Sequence, residues 1–235
     1  MTQRTRQARR RAANLLFLAG VLGVGLWVWA NIRGAVYQSW ANWAFEREKL
    51  GQAATVIQYL RAEGEEAWDH VRAWCGLEPV PRLAVPLNQA SRVPSWVPAI
   101  GDGDLIGRLV VPRLHLRAIV REGTGANTLA VALGHIPGTA LPGENGNACV
   151  AGHRDTLFRR LGQIRRNDVV RFQTLGGDFL YKVESTGIVT PRNTDVLRKG
   201  QAPEITLVTC YPFHFIGPAP DRFVVKARLV ASTAR

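Results

Sequence analysis

Sixteen consecutive residues, Leu15 to Ala30 (LLFLAGVLGVGLWVWA), carry no charge, and they follow a start that holds Arg4, Arg6, Arg9, Arg10 and Arg11 without one acid. With Ala12, Ala13 and Asn14 the run approaches the roughly 20 residues that span a bilayer. It reads as a membrane anchor over residues 14–31 in contact with lipid. Because Lys and Arg stay on the cytoplasmic side, residues 1–13 are expected inside and everything after about residue 31 outside. Trp27, Trp29, Tyr37 and Trp40 suit the outer interface. A cleaved signal peptide is the rival, since Val28-Trp29-Ala30 resembles a cleavage site, although the apolar run exceeds the usual 7 to 15 or so residues. Both readings export the rest of the chain.

The 235 residues leave room for one ordinary domain plus this appendage. Thirty basic residues against 18 acidic give a net charge of +12. A nucleic-acid binder gathers such charge on one element and interleaves it with aromatics. Here all seven Trp precede residue 97 while the basic residues are spread throughout, so a nucleic-acid partner is excluded. Three cysteines, Cys75, Cys149 and Cys210, are too few for a disulfide scaffold, and their odd number leaves at least one thiol unpaired. An unpaired thiol in an exported protein hints at chemical use.

Residues 32–78 carry Val36, Trp40, Trp43, Ala44, Leu50, Ile57, Tyr59 and Leu60 at spacings near three and four. That pattern predicts an amphipathic helical stalk broken around Gly51 or Gly64, packed on itself or on the domain, with membrane-surface contact or self-association as the other reading. Residues 79–98 hold Pro79, Pro81, Pro86, Pro94 and Pro98 and read as a stiff linker. From residue 99 to 235 the texture changes to short β-branched runs punctuated by Gly, Pro, Asn and Asp, which predicts one all-β domain, a barrel or sandwich. The expected strands are 105–111, 117–120, 148–151, 169–174, 180–189, 205–209 and 223–230, with short helices over 127–133 and 156–161.

Cys210 ends the run Ile205-Thr206-Leu207-Val208-Thr209 and is followed by Tyr211-Pro212, where Pro stops the strand ladder. His153 likewise ends the run Ala148-Cys149-Val150-Ala151-Gly152, and Arg222 opens the last strand. All three are therefore expected on one rim. The chemistry suits such a trio: a thiolate attacks, an imidazole generates it or protonates the leaving amine, and a guanidinium holds a developing oxyanion. Cys149 lies about 13 Å from His153 at roughly 3.3 Å per residue. It reads as core, not as part of a zinc site.

The string TLVTC at residues 206–210, Arg222 twelve residues later, and GHRD at 152–155 preceded by LPGENGN at 141–147 resemble the sortase family of cysteine transpeptidases. The likeness runs from about Gly107 to Leu229, and GHIPGTA at 134–140 with CYPF at 210–213 is most similar to its class D branch. The resemblance implies an eight-stranded β-barrel with short helices. It also implies cleavage of an LPxT-type signal, followed by Ala or Gly, near the C-terminus of an exported protein. Cys210 would form a thioester that an amine, from a peptidoglycan peptide or a protein, resolves. His153 would serve as acid and base, and Arg222 would position the peptide and its oxyanion. The remaining oxyanion- or substrate-binding candidates are the Tyr211 backbone N–H, Thr209, His135 and His214, with a structural hydrogen-bonding role as the other reading of His135. Residues 190–199, where some sortases bind calcium, offer one acid against three bases, so no metal or other cofactor is expected. Three rivals stand beside this reading: a thiol peptidase that passes the acyl group to water, an L,D-transpeptidase type, whose Ser-His-Gly-Cys string is missing, and an inactive membrane-tethered binding module.

Overall fold

A computed structural model describes residues 3–64, 100–198, 200–215 and 217–234. The expected linker at 79–98, the stalk beyond residue 64 and Cys75 lie outside the described residues. The chain divides into two compact units, residues 1–37 and 38–235.

Helix α1 spans Gln3–Lys49. It contains an 18-residue stretch of mean hydropathy 2.0 with none of its surface buried, long and apolar enough to cross a membrane. Leu15, Leu16, Phe17, Leu22, Leu26 and Trp27 all stand exposed on it.

The second unit is a closed barrel of eight strands: β1 (Leu105–Val111), β2 (Leu116–Glu122), β3 (Leu133–His135), β4 (Asn147–Ala151), β5 (Val169–Gln173), β6 (Gly177–Val189), β7 (Glu204–Tyr211) and β8 (Asp221–Ala234). Around the barrel they run β1-β2-β3-β4-β7-β8-β6-β5 and back to β1. Alternate residues enter the core, as strand geometry requires: Ala148 and Val150 from β4, Ile205 and Leu207 from β7, Val225 and Ala227 from β8, packed with Leu109, Val120, Leu133, Phe158, Phe172 and Tyr181.

The expected strands are present, and the structure adds β3. The helix anticipated over 127–133 is one turn only, Ala126–Leu129, and Leu133–His135 pairs in parallel with β2 and antiparallel with β4. Three residues are too few to display an alternating pattern, so this strand is fixed by its neighbours. At 156–161 the chain forms turns, and a short 3₁₀ turn follows at Leu161–Gln163.

Part of the expected stalk belongs to the barrel. The last turns of α1, residues 38–49, cover the outer face of β1 and β2. The Gln38 amide donates to Val131 O at 2.7 Å, and its carbonyl accepts the Ile119 N–H at 3.0 Å. Phe45 is completely buried, with the Arg108 guanidinium 4.8 Å above its ring. Arg108 itself is 1% exposed. It donates to Gln173 Oε1 at 3.0 and 2.7 Å and to Glu46 Oε1 at 2.5 Å. Gln173 passes the network to Asp178, which also pairs with Lys49. Burial pushes the Asp178 carboxyl up, but the Lys49 and Gln173 hydrogen bonds outweigh it and hold the group below the usual carboxylate range.

Gly51 ends α1 in the left-handed region, φ 71°, where a side chain would be strained. A following helix, whose described part is residues 56–64, starts with a reciprocal cap. Thr55 Oγ1 accepts the Gln58 N–H and Gln58 Oε1 accepts the Thr55 N–H, both at 3.3 Å. It folds back on α1 through Tyr59, whose hydroxyl meets Ser39 Oγ at 3.0 Å and whose ring lies edge-on to Trp43.

Phe45→Ala should therefore cost about 3–5 kcal/mol of barrel stability, the range for emptying a fully buried aromatic site. A residue on a free stalk would change stability by less than about 0.5 kcal/mol. Denaturant unfolding followed by far-ultraviolet circular dichroism of the strands distinguishes the two.

Candidate active site

Strand pairing brings the three expected residues into one row. The parallel ladder of β4 and β7 pairs Cys149 with Thr206 and Ala151 with Val208. It continues through Gly152 N–H to Val208 O at 3.2 Å. Two residues beyond that last pair on each strand stand His153 and Cys210. On the other side of β7, the antiparallel ladder sets Cys210 directly opposite Arg222.

Side-chain alternation puts Cys210 and Arg222 on one face. Ala148, Val150, Ile205, Leu207, Val225 and Ala227 line the core, so the residues between them, including Cys149, Ala151, Thr206, Val208, Val224 and Lys226, point away from it. Cys210 and Arg222 follow in the same phase, and His153 stands two residues past the end of β4. Strands lie about 4.8 Å apart, so this row of three spans roughly 10 Å, the scale of a few peptide atoms. His153 is exposed, while Cys210 and Arg222 are half-buried. The sulfur therefore sits in a rim that solvent can reach.

Cys149 occupies the same face but not the rim. It is fully buried, and burial pushes its thiol up to about 12. It is a packed, protonated thiol at neutral pH.

Arg222 Nη1 donates to Ala219 O at 3.3 Å and to Asp221 O at 2.9 Å. These bonds fix one edge of the guanidinium against the chain just before β8. Among the described residues, Nε and Nη2 carry no hydrogen bond.

The secondary candidates separate. Tyr211 ends β7 and is half-buried, with its ring 6.1 Å from Phe213 and 6.4 Å from Phe223. The aromatic cluster joins the two ends of the loop between Cys210 and Arg222. Thr209 points to the core side, is 2% exposed, and donates its hydroxyl to Gly152 O at 2.7 Å. That bond holds the backbone just before His153. His135 pairs with Val150 and so faces the core side, opposite to the row. It is 2% exposed, with Nδ1 2.6 Å from Glu122 Oε2 and Nε2 2.9 Å from Ala140 O and 3.1 Å from Thr139 Oγ1. Both ring nitrogens are engaged within the protein, the arrangement that the structural reading of His135 requires. His214 is exposed on the β7–β8 loop.

The β6–β7 connection has one acid among residues 190–198, Asp195, and it already pairs with Arg198 at 2.9 Å. Among the described residues no group of three or more His, Cys, Asp or Glu is placed to hold a metal ion.

Sequence reasoning did not single out Arg154. Its guanidinium reaches the backbone of the β7–β8 loop. The only cue was its place beside His153.

Comparison with known proteins identifies the family. The sequence model of the sortase domain family matches residues 109–230, just over half of the chain. The chain is 34% identical over 144 residues to sortase D of Bacillus subtilis (strain 168), an alignment covering 61% of this chain and 72% of that protein. Among solved structures, it is similar to a sortase D5 transpeptidase of Clostridium perfringens, with TM-score 0.52 and 31% identity over 57% of this chain and 83% of that one. It is also similar to sortase C-1 of Actinomyces oris, with TM-score 0.51 and 32% identity over 54% of this chain and 74% of that one.

Proposed function

The chain belongs to the sortase family of cysteine transpeptidases, and from that premise we propose that Cys210, His153 and Arg222 are its acyl-transfer machinery. What supports the assignment is the single cross-strand row on an accessible face of β4, β7 and β8.

In this mechanism the Cys210 thiolate attacks the carbonyl carbon of Thr in an LPxT-type signal. The carbonyl oxygen becomes an oxyanion that the Arg222 guanidinium and the Tyr211 backbone N–H stabilise. Collapse of this intermediate breaks the peptide bond, and His153 gives a proton to the departing amine. The product is a Thr thioester on Cys210 and a released C-terminal fragment. An incoming amine then attacks the thioester, loses its proton to His153, and expels the thiolate. One amide is broken and one formed, so no external energy source is needed.

Sortases act on proteins that bear a sorting signal and on amine acceptors. For this chain the proposed pair is an exported protein with LPxTA or LPxTG near its C-terminus, and a peptidoglycan peptide or protein amine. The exposed apolar stretch of α1 would anchor the enzyme, with the Arg-rich start cytoplasmic and the barrel outside.

The test uses the full chain in detergent micelles with an LPxTA or LPxTG peptide and either diaminopimelate or triglycine. The expected product joins the Thr carbonyl to the amine, identified by mass spectrometry. Release of the free Thr acid alone, with amine in excess, would transfer the chain to the thiol-peptidase reading. No cleavage of either peptide would remove the LPxT assignment.

A further inference from the structure

The loop from Pro212 to Pro220 joins the strand that ends in Cys210 to the strand that begins with Arg222. It is held by a residue of another element. Arg154 Nη1 donates to Pro212 O at 2.9 Å, and Nη2 donates to Phe215 O at 2.7 Å and Gly217 O at 3.1 Å. The same guanidinium lies 5.8 Å from the centroid of the Phe215 ring. These three hydrogen bonds all go to neutral carbonyls of one loop, and the residue that makes them is bonded through the backbone to His153.

A second contact joins the same two segments. Phe213 rests on Gly162, where even a Cβ would come within 2.7 Å of the ring. Phe213 in turn packs edge-on at 5.4 Å against Phe223, the neighbour of Arg222. The segment after β4 therefore grips the β7–β8 loop at both Arg154 and Gly162.

Resting on the functional reading above, we propose that Arg154 is a positioning residue: it fixes the β7–β8 loop to the His153 segment so that Cys210 and Arg222 keep their register with the imidazole. Its side chain does not touch the reacting atoms. The planar fork matters, since two nitrogens serve three carbonyls set along a bend, and an ammonium on a flexible stem cannot reproduce that arrangement. Without the clamp the Thr carbonyl would still bind, but the sulfur, imidazole and guanidinium would be misaligned around it. A misplacement of about 1 Å can cost on the order of a hundredfold in rate. The expected signature is a fall in the acylation kcat with little change in KM, because the alignment is needed in the transition state and not for ground-state binding.

The experiment compares the full-length wild type, Arg154→Met and Arg154→Lys in micelles. Hydrogen–deuterium exchange of residues 211–221 is read beside thioester formation with the LPxT peptide. Exchange in that segment should quicken at least tenfold in Arg154→Met while the core strands stay unchanged. The acylation kcat should fall by about tenfold to a hundredfold with the shape of its pH profile retained, and Arg154→Lys should recover only a minor part. Unchanged exchange overturns the clamp. Quicker exchange with wild-type acylation, a loss confined to KM, or full recovery by Lys overturns the positioning role. A wild type that forms no adduct sinks the functional reading and the positioning role with it, and the exchange arm still reports separately whether the loop is clamped.

Discussion

Cys210→Ala is expected to abolish both cleavage and ligation of an LPxT peptide, whereas Cys149→Ala should keep most of the wild-type activity. The two thiols share a face of the sheet, since each is out of phase with the core-lining residues of its strand: Ala148 and Val150 in β4, Ile205 and Leu207 in β7. Their surroundings differ decisively. Cys210 is half-buried at the end of β7, beside the exposed His153 and across from Arg222. Cys149 has no exposed surface, and its thiol is pushed to about 12 by burial, so only a minute fraction ionises at pH 7. A nucleophile must be both ionisable and reachable. Removing the Cys149 sulfur leaves a small cavity and lowers stability modestly. Removing the Cys210 sulfur leaves nothing to carry the acyl group. Equal loss from both substitutions would refute the assignment of the nucleophile.

Arg222→Lys should lower turnover by about a hundredfold to a thousandfold, the usual consequence of losing one oxyanion donor. Positive charge is kept in this variant, so the loss isolates geometry. Arg222 is anchored by Nη1 to the carbonyls of Ala219 and Asp221, which aims the rest of the planar group. Lys has no second edge: if its ammonium bonds those carbonyls it is not available to the substrate, and if it turns to the substrate it is no longer held. Both acylation and deacylation pass through an oxyanion, so single-turnover rates of both steps should fall together. Near-normal turnover in Arg222→Lys would leave the residue with a structural role only.

The fold was largely legible because its strands announce themselves locally. The runs Leu105–Val111 and Glu204–Tyr211 are rich in β-branched and apolar residues and bounded by turn residues, so each strand could be placed without its neighbours. β3 could not, because Leu133-Gly134-His135 is too short to carry a period and exists only by pairing with β2 and β4. That α1 residues 38–49 dock on the barrel rather than on the stalk itself was left open for a related reason. An amphipathic stripe shows that a helix buries a face, but not against what. Arg108 illustrates this: in the run Leu-Ile-Gly-Arg-Leu-Val-Val it looks like the solvated residue of a strand, yet it is almost wholly buried under Phe45 and Glu46.

The candidate site was legible at the level of its residue types. Each of His153, Cys210 and Arg222 could be placed at a strand end, which suggested a common rim, and the resemblance gave each a role. The row itself required the parallel pairing of β4 with β7, which links segments more than fifty residues apart and leaves no local trace. The same non-local pairing sends His135 and Thr209 to the opposite face. Arg154 was passed over because its partners are backbone carbonyls, and a carbonyl acceptor has no sequence signature.

The most direct test of the central claim is the location of the acyl group. The full chain is mixed with an LPxT peptide in the absence of amine, quenched in acid, digested and analysed by mass spectrometry. The expected result is a mass increase equal to the peptide through Thr less one water on the fragment containing Cys210, removed by hydroxylamine and missing from Cys210→Ala. An adduct on Cys149, or continued ligation by a chain whose Cys210 never carries the acyl group, would contradict it.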